Sequence, residues 1–169
     1  SGLLGKEHAK ALLEAGAKVV LTDISEKELK ILQEQLNEQY SPDSIITEYM
    51  DVTDIDNIKD TEQKLSEQGL RIDILVNNAA IDPKVNSNEG LIESSRLENF
   101  SLEQWNLQIN VGLTGAFLCS QIFGSKMASD NKGGVILNIS SDLSVFAPDQ
   151  RLYSKEDLTK DMQPVKPVT

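Results

Sequence analysis

Two stretches near the start of the chain combine residue types suited to holding a phosphate and a sugar. Ser1-Gly2-Leu3-Leu4-Gly5 sets two glycines ahead of a helical pattern. Glycines there let the backbone approach a pyrophosphate, whose charge is met by unpaired N–H groups and the helix dipole. A Gly pair before a helix is also an ordinary turn, so this feature decides nothing alone. Asp23 adds to it, lying 18 residues past Gly5 at the end of the next strand-like run. In a dinucleotide site an acid that accepts hydrogen bonds from an adenosine ribose stands about 20 residues on. Asp23 would otherwise cap the following helix, a place Ser25 fills better. Together the two features point to dinucleotide binding.

Other polar residues are ambiguous by themselves. Asn77 and Asn78 read as a polar strand end, Ser140 and Ser141 as turn formers, and Asn110 as a helix kink or a solvated side chain. Cys119 is the sole cysteine. With no Cys or His neighbour at metal-ligand spacing it reads as a small core hydrophobe, and no metal site is expected.

The elements that must position these residues follow from periodicity. "GKEHAKALLEAG" carries Ala9, Leu12 and Leu13 at helical spacing and stops at Gly16, a C-cap position. "AKVVLTD" is a short β-branched run and predicts a buried strand. Ser25 with Glu28 forms a capping box, opening a helix whose apolar face is Leu29, Leu32 and Leu36. "SIITEYM" predicts a strand, residues 51–68 a helix through Ile55, Ile58 and Leu65, and "RIDILVNNAA" a third strand. A polar loop fills 81–100. Ser101 with Gln104 caps one long helix running to about Ser129, and "GGVILNIS" is the fourth strand. Beyond Ser141, prolines 148, 164 and 167 argue against further regular structure. Alternating helices and strands imply crossover connections, a parallel sheet and helices on both faces. Ligands in such a sheet sit outside the carboxyl ends of the strands.

Composition bounds the partners. A chain of 169 residues is long enough for one domain with a core. Its net charge of −11, with Lys and Arg scattered, opposes a phosphate backbone and excludes nucleic acid as the expected partner. No run approaches the roughly 18 apolar residues of a membrane span, and no basic-then-apolar secretory pattern opens the chain. A soluble, cytoplasmic protein is expected, in keeping with the lone cysteine. The chain opens on Ser1 and closes on "PVKPVT", which reads as a piece of a longer domain.

"NNAA" at 77–80, "DV" at 51–52, "INVGLTGAF" and "ILNISS", taken in order, resemble the short-chain dehydrogenase/reductase family. The resemblance covers nearly the whole chain. It implies a Rossmann-like doubly wound α/β fold, a nicotinamide cofactor, and hydride transfer between an alcohol and a carbonyl. Ser1, Gly2, Leu4 and Gly5 resemble the end of the family's glycine motif, whose first strand would precede Ser1 and lie at the sheet's centre, between the strands at 17–23 and 71–76. Leu3 stands where many members have glycine. Asp23 resembles the ribose-binding acid of NAD-preferring members, and neither Gly2 nor Ile24 supplies the positive charge expected for NADP. Asp51 and Val52 resemble the pair flanking adenine. Asn78, Ala79 and Ala80 resemble the segment beside the adenosine ribose, with Ala80 in place of the usual glycine. For catalysis, Asn110 resembles the asparagine that positions a water in a proton relay, and Ser141 the serine that hydrogen-bonds the substrate oxygen.

The family's base is a tyrosine with a lysine four residues on, one helical turn away and on the same face. Tyr153 stands 12 residues past Ser141, but four residues after it is Asp157, and Lys155 is only two away. A carboxylate at Asp157 opposes the phenolate a base requires. Tyr153 is therefore read as a decoy, 142–169 as an insertion loop, and the catalytic Tyr and Lys are expected just beyond Thr169. The polar "DQRLYSKEDLTKD" reads as a lid over the site or as a solvated loop. The whole is expected to be a single dinucleotide-binding domain over 1–169 that lacks its first strand and C-terminal part. Its expected function is NAD-dependent interconversion of a secondary alcohol, sugars included, and a carbonyl. The alternative is a non-catalytic dinucleotide-binding module. The long helix carries Trp105, Ile109, Phe117, Ile122 and Met127, more apolar surface than one face needs. Because family members pair through this helix, a homodimer or homotetramer is expected.

Overall fold

The computed structural model of the chain describes residues 1–81, 97–160, 163 and 165. Residues 82–96 of the polar loop expected at 81–100, and all of the closing "PVKPVT" except Val165, lie outside these residues. Helix α1 (Leu3–Glu14) ends where Gly16 takes φ +83°, the left-handed conformation that suits glycine after a helix. Strand β1 (Val19–Asp23) follows. Helix α2 (Glu26–Asn37) is capped by the Ser25 hydroxyl, which accepts from the Glu28 amide at 3.3 Å, as the capping box predicted. Strand β2 (Ile45–Tyr49) leads to helix α3 (Ile55–Glu67), where Asp54 accepts from the amides of Asp56 and Asn57. Strand β3 (Ile74–Asn77), helix α4 (Leu102–Ile109), helix α5 (Gly115–Ser129) and strand β4 (Val135–Asn138) complete the regular elements.

The single helix expected over 101–129 is interrupted. Asn110–Thr114 forms a π turn between α4 and α5. Such a turn accommodates one extra residue without ending the helix, and the apolar spacing alone gives no warning of it.

Both strand pairs are parallel. Val19–Asp23 pairs in register with Ile45–Tyr49, and Ile74–Asn77 with Val135–Asn138. Among the described residues these remain two separate two-stranded sheets, with no ladder joining β1 to β3. Side-chain alternation along β1 shows why the fold is doubly wound. Val19 and Leu21 join a core with Ala9 and Leu13 of α1 and Leu29, Leu32 and Leu36 of α2. Val20, on the opposite face, packs with Ile58 and Leu65 of α3, Cys119 and Phe123 of α5, and Leu75 of β3. Only this second cluster bridges the two sheets among the described residues. Full burial of a residue such as Ile58 contributes about 1.5–3 kcal/mol.

Burial has a titration consequence at Cys119, whose thiol it pushes up from 9.0 to about 11. The folded state retains this proton where the unfolded chain has released it. The contribution is thus fully present below the unfolded value and is lost as pH rises from about 9 through about 11. The full-length protein is expected to lose up to about 2–3 kcal/mol across that window. Urea midpoints measured against pH should fall, and Cys119→Ala should flatten the fall. At pH 8 a thiol reagent should label Cys119 only after unfolding.

Candidate active site

Every strand runs in the same direction within its pair, and the residues singled out from sequence collect at the strands' carboxyl ends. Ser1 and Gly2 precede α1, with Leu4 and Gly5 in its first turn. Gly2 is the N-cap and provides no side-chain cap, so the leading amides of α1 have no side-chain acceptor. Asp23 ends β1 and Ile24 follows it, exposed. Asp51 and Val52 follow β2, Asn78, Ala79 and Ala80 follow β3, and Ser141 follows β4.

Several of these residues meet. The Asp23 Oδ2 accepts from the Ser1 hydroxyl at 2.5 Å, while Oδ1 accepts from the Ser25 amide at 3.0 Å. Asp23, a carboxylate and so an anion at neutral pH, is thus held by Ser1 and Ser25 beside the α1 N-terminus. Gly5 faces Asn78 closely, since a Cβ on Gly5 would lie 3.4 Å from the Asn78 Nδ2.

Val52 is wedged under the helix layer. A Cβ on Gly115 would come within 2.7 Å of the Val52 Cγ2 and 3.1 Å of its carbonyl oxygen. Gly115→Ala in the full-length protein is expected to cost about 1–3 kcal/mol through overpacking, read as a lowered urea midpoint. Asp51 is engaged locally, its Oδ1 accepting from the Thr53 amide at 2.8 Å and hydroxyl at 2.7 Å, and its own amide donating to Asn57 Oδ1 at 2.6 Å.

Two residues stand apart from this cluster. Asn110 begins the π turn with its side chain exposed. Ser141 caps a short 3-10 turn: its hydroxyl accepts from the Leu143 amide at 3.2 Å and donates to Asp142 Oδ1 at 3.1 Å. Tyr153 ends another 3-10 turn at Gln150–Tyr153, and the segment that follows it toward Asp157 is not helical.

Sequence reasoning left Asn77 as a polar strand end, whereas the structure makes it a junction. Its Nδ2 donates to Asn138 Oδ1 at 2.8 Å, to Ser120 Oγ at 3.0 Å and to the Ala116 carbonyl at 3.3 Å. A signal was present, for "ILVN" and "VILN" both close on asparagine.

The family model described as short chain dehydrogenase matches residues 1–154. The chain belongs to that family. An NAD-dependent glycerol dehydrogenase of Listeria innocua is 32% identical over 149 residues, spanning 88% of this chain and 52% of the relative. Among solved structures, a short chain dehydrogenase from Bacillus anthracis superposes with a TM-score of 0.73 at 32% identity, covering 88% of this chain and 56% of that one. A gluconate 5-dehydrogenase from Burkholderia cenocepacia, solved in complex with NADP and tartrate, superposes with a TM-score of 0.67 at 26% identity over 86% of this chain and 53% of its own. The chain thus spans about half the length of these short-chain dehydrogenases. The paired parallel strands and interleaved helices are a fragment of their Rossmann-like fold.

Proposed function

We propose that this short-chain dehydrogenase chain supplies the dinucleotide half of an NAD-dependent oxidoreductase acting on a secondary alcohol, sugars and polyols included. One observation carries the reading: an anionic, hydrogen-bonded Asp23 stands beside the uncapped N-terminus of α1. The fit to a dinucleotide rests on that pairing and on the close approach of Gly5 to Asn78, a cradle that a larger residue would fill. The leading α1 amides would meet the pyrophosphate, Asp23 would accept from the ribose diol, and Val52 with Asn78–Ala80 would flank the adenosine. Bound nicotinamide supplies the hydride acceptor or donor. Ser141 would hold the substrate oxygen after releasing the Asp142 contact, and Asn110 would order a water. Asp23 also disfavours a 2′-phosphate, which favours NAD over NADP.

The proton acceptor is assigned to a Tyr and Lys lying beyond Thr169, because Tyr153 has no lysine one helical turn away and its segment is not helical. A strand ahead of Ser1 would fill the space between the unpaired edges of β1 and β3. Leu102, Trp105, Leu113 and Phe117 are exposed along α4, the π turn and α5, and this apolar surface supports a homodimer or homotetramer. The free, buried Cys119 suits a reducing cytoplasm.

The test uses the full-length protein. Cofactor fluorescence should report NAD binding tighter than NADP, and a panel of secondary alcohols and sugars should yield NADH with at least one member. Failure to bind either cofactor would overturn the proposal. Binding without turnover would favour the non-catalytic module.

A further inference from the structure

We propose that Ser1 is a positioning residue for the ribose acid: its enclosed hydroxyl holds the Asp23 carboxylate in one orientation and so presets it for a vicinal diol. The inference rests on the dinucleotide reading above and gives the Ser1 side chain a role of its own, apart from the backbone of the glycine motif.

The geometry is specific. The Ser1 side chain is 7% exposed and the Asp23 side chain 24%, so the serine is enclosed while the acid keeps an opening. A hydroxyl shut off from water needs a protein partner. Ser1 Oγ finds it by donating to Asp23 Oδ2 at 2.5 Å, at the short end for a hydroxyl on a charged oxygen. Oδ1 is held separately by the Ser25 amide at 3.0 Å. One donor stands 22 residues before Asp23 and the other two residues after it. A carboxylate gripped at both oxygens cannot turn about its side-chain bonds without breaking one of these contacts.

Two consequences follow for a ligand. An acid already oriented gives up less freedom when the diol arrives, and that saving appears as affinity. Ser1 has a single side-chain proton, and it is committed to Asp23. The hydroxyl therefore has no donor left for a phosphate, and a 2′-phosphate at this point meets acceptor oxygens on both side chains. Discrimination against it then has a hydrogen-bonding part beside the charge of Asp23. The same contact ties the end of β1 to the residue just ahead of Gly2, the N-cap of α1, so the ribose and pyrophosphate positions are set together.

The test uses the full-length protein, with NADH and NADPH fluorescence reporting affinity. It compares Ser1→Ala, Ser1→Cys, Asp23→Ala, and Ser1→Ala combined with Asp23→Ala. Ser1→Ala should weaken NADH binding about tenfold, the weight of a hydrogen bond to a charged group. NADPH binding should change less than about threefold, because its ribose brings no 2′ O–H to the acid. Ser1→Cys fills the space but donates weakly, so it should lose NADH affinity as Ser1→Ala does. In the Asp23→Ala background the loss of the Ser1 hydroxyl should cost less than about twofold more, since Ser1 acts through the acid. If the parent binds NADH and the variants follow this pattern while no alcohol or carbonyl is turned over, the oxidoreductase reading fails and the positioning role stands. A parent that binds neither cofactor overturns both. The proposal alone is overturned if Ser1→Ala keeps NADH affinity, if it weakens NADH and NADPH alike, if Ser1→Cys matches the parent, or if the hydroxyl costs as much without Asp23 as with it.

Discussion

Residues 1–169 expressed alone are expected to show no cooperative thermal transition. Strands β1 and β3 each pair on one side only, and the described residues hold two separate two-stranded sheets. A two-stranded piece of four or five residues is marginal without further strands or packing. The second cluster, which bridges the sheets, relies on Val20 and Leu75 packing against the same buried side chains, with no backbone ladder between β1 and β3 among the described residues. Strand β4 leaves Val135, Ile136 and Leu137 exposed, an aggregation hazard for an unpaired edge. The loss should amount to the whole folding free energy of an ordinary domain, about 5–15 kcal/mol. Circular dichroism melts and size-exclusion profiles would check it. The full-length protein should melt sharply under the same conditions. A sharp, reversible melt of the isolated segment would show that the bridging cluster suffices.

Asp23→Ser in the full-length enzyme is expected to raise the ratio of NADP to NAD efficiency about 100-fold. A carboxylate about 4 Å from a phosphate charge opposes it by about 4 kcal/mol at an effective dielectric of 20. Asp23 is about one-quarter exposed, and screening by solvent and salt reduces this to roughly 2–3 kcal/mol. At 1.4 kcal/mol per decade that is on the order of 100-fold. The serine also loses an acceptor for the ribose diol, so NAD efficiency should fall while NADP efficiency rises. Steady-state kcat/KM with each cofactor measures both. An unchanged ratio would mean that the Asp23 carboxylate serves only Ser1 and Ser25, its present partners.

The order and kind of the main elements were legible because each carries its own local signal. Ser25 and Glu28 announce α2, Gly16 closes α1, and β-branched runs mark β1 and β2. Positions at strand ends were likewise legible, since Asp23, Asp51 and Asn78 follow apolar runs directly. What stayed hidden depends on residues far apart in the chain. Asn77 meets Asn138 across 61 positions, and that pairing follows from strand register, which neither strand encodes alone. The Gly115–Val52 contact likewise needs a helix laid on a strand end. For Ser141 the difficulty was different: its sequence context resembles a substrate-binding serine, while its hydroxyl here caps its own turn. Both uses draw on one oxygen.

The π turn at Asn110–Thr114 decides where the helical rod tolerates a change in length. Removing one residue there would restore regular winding and leave α4 and α5 facing much as they do now, because the wider turn absorbs the extra residue. Gln108 would stay buried, and the flank holding Trp105 would keep its bearing. Deleting a residue from the regular part of either helix would instead turn one half against the other by about 100°, so a single-codon deletion is best borne at this turn.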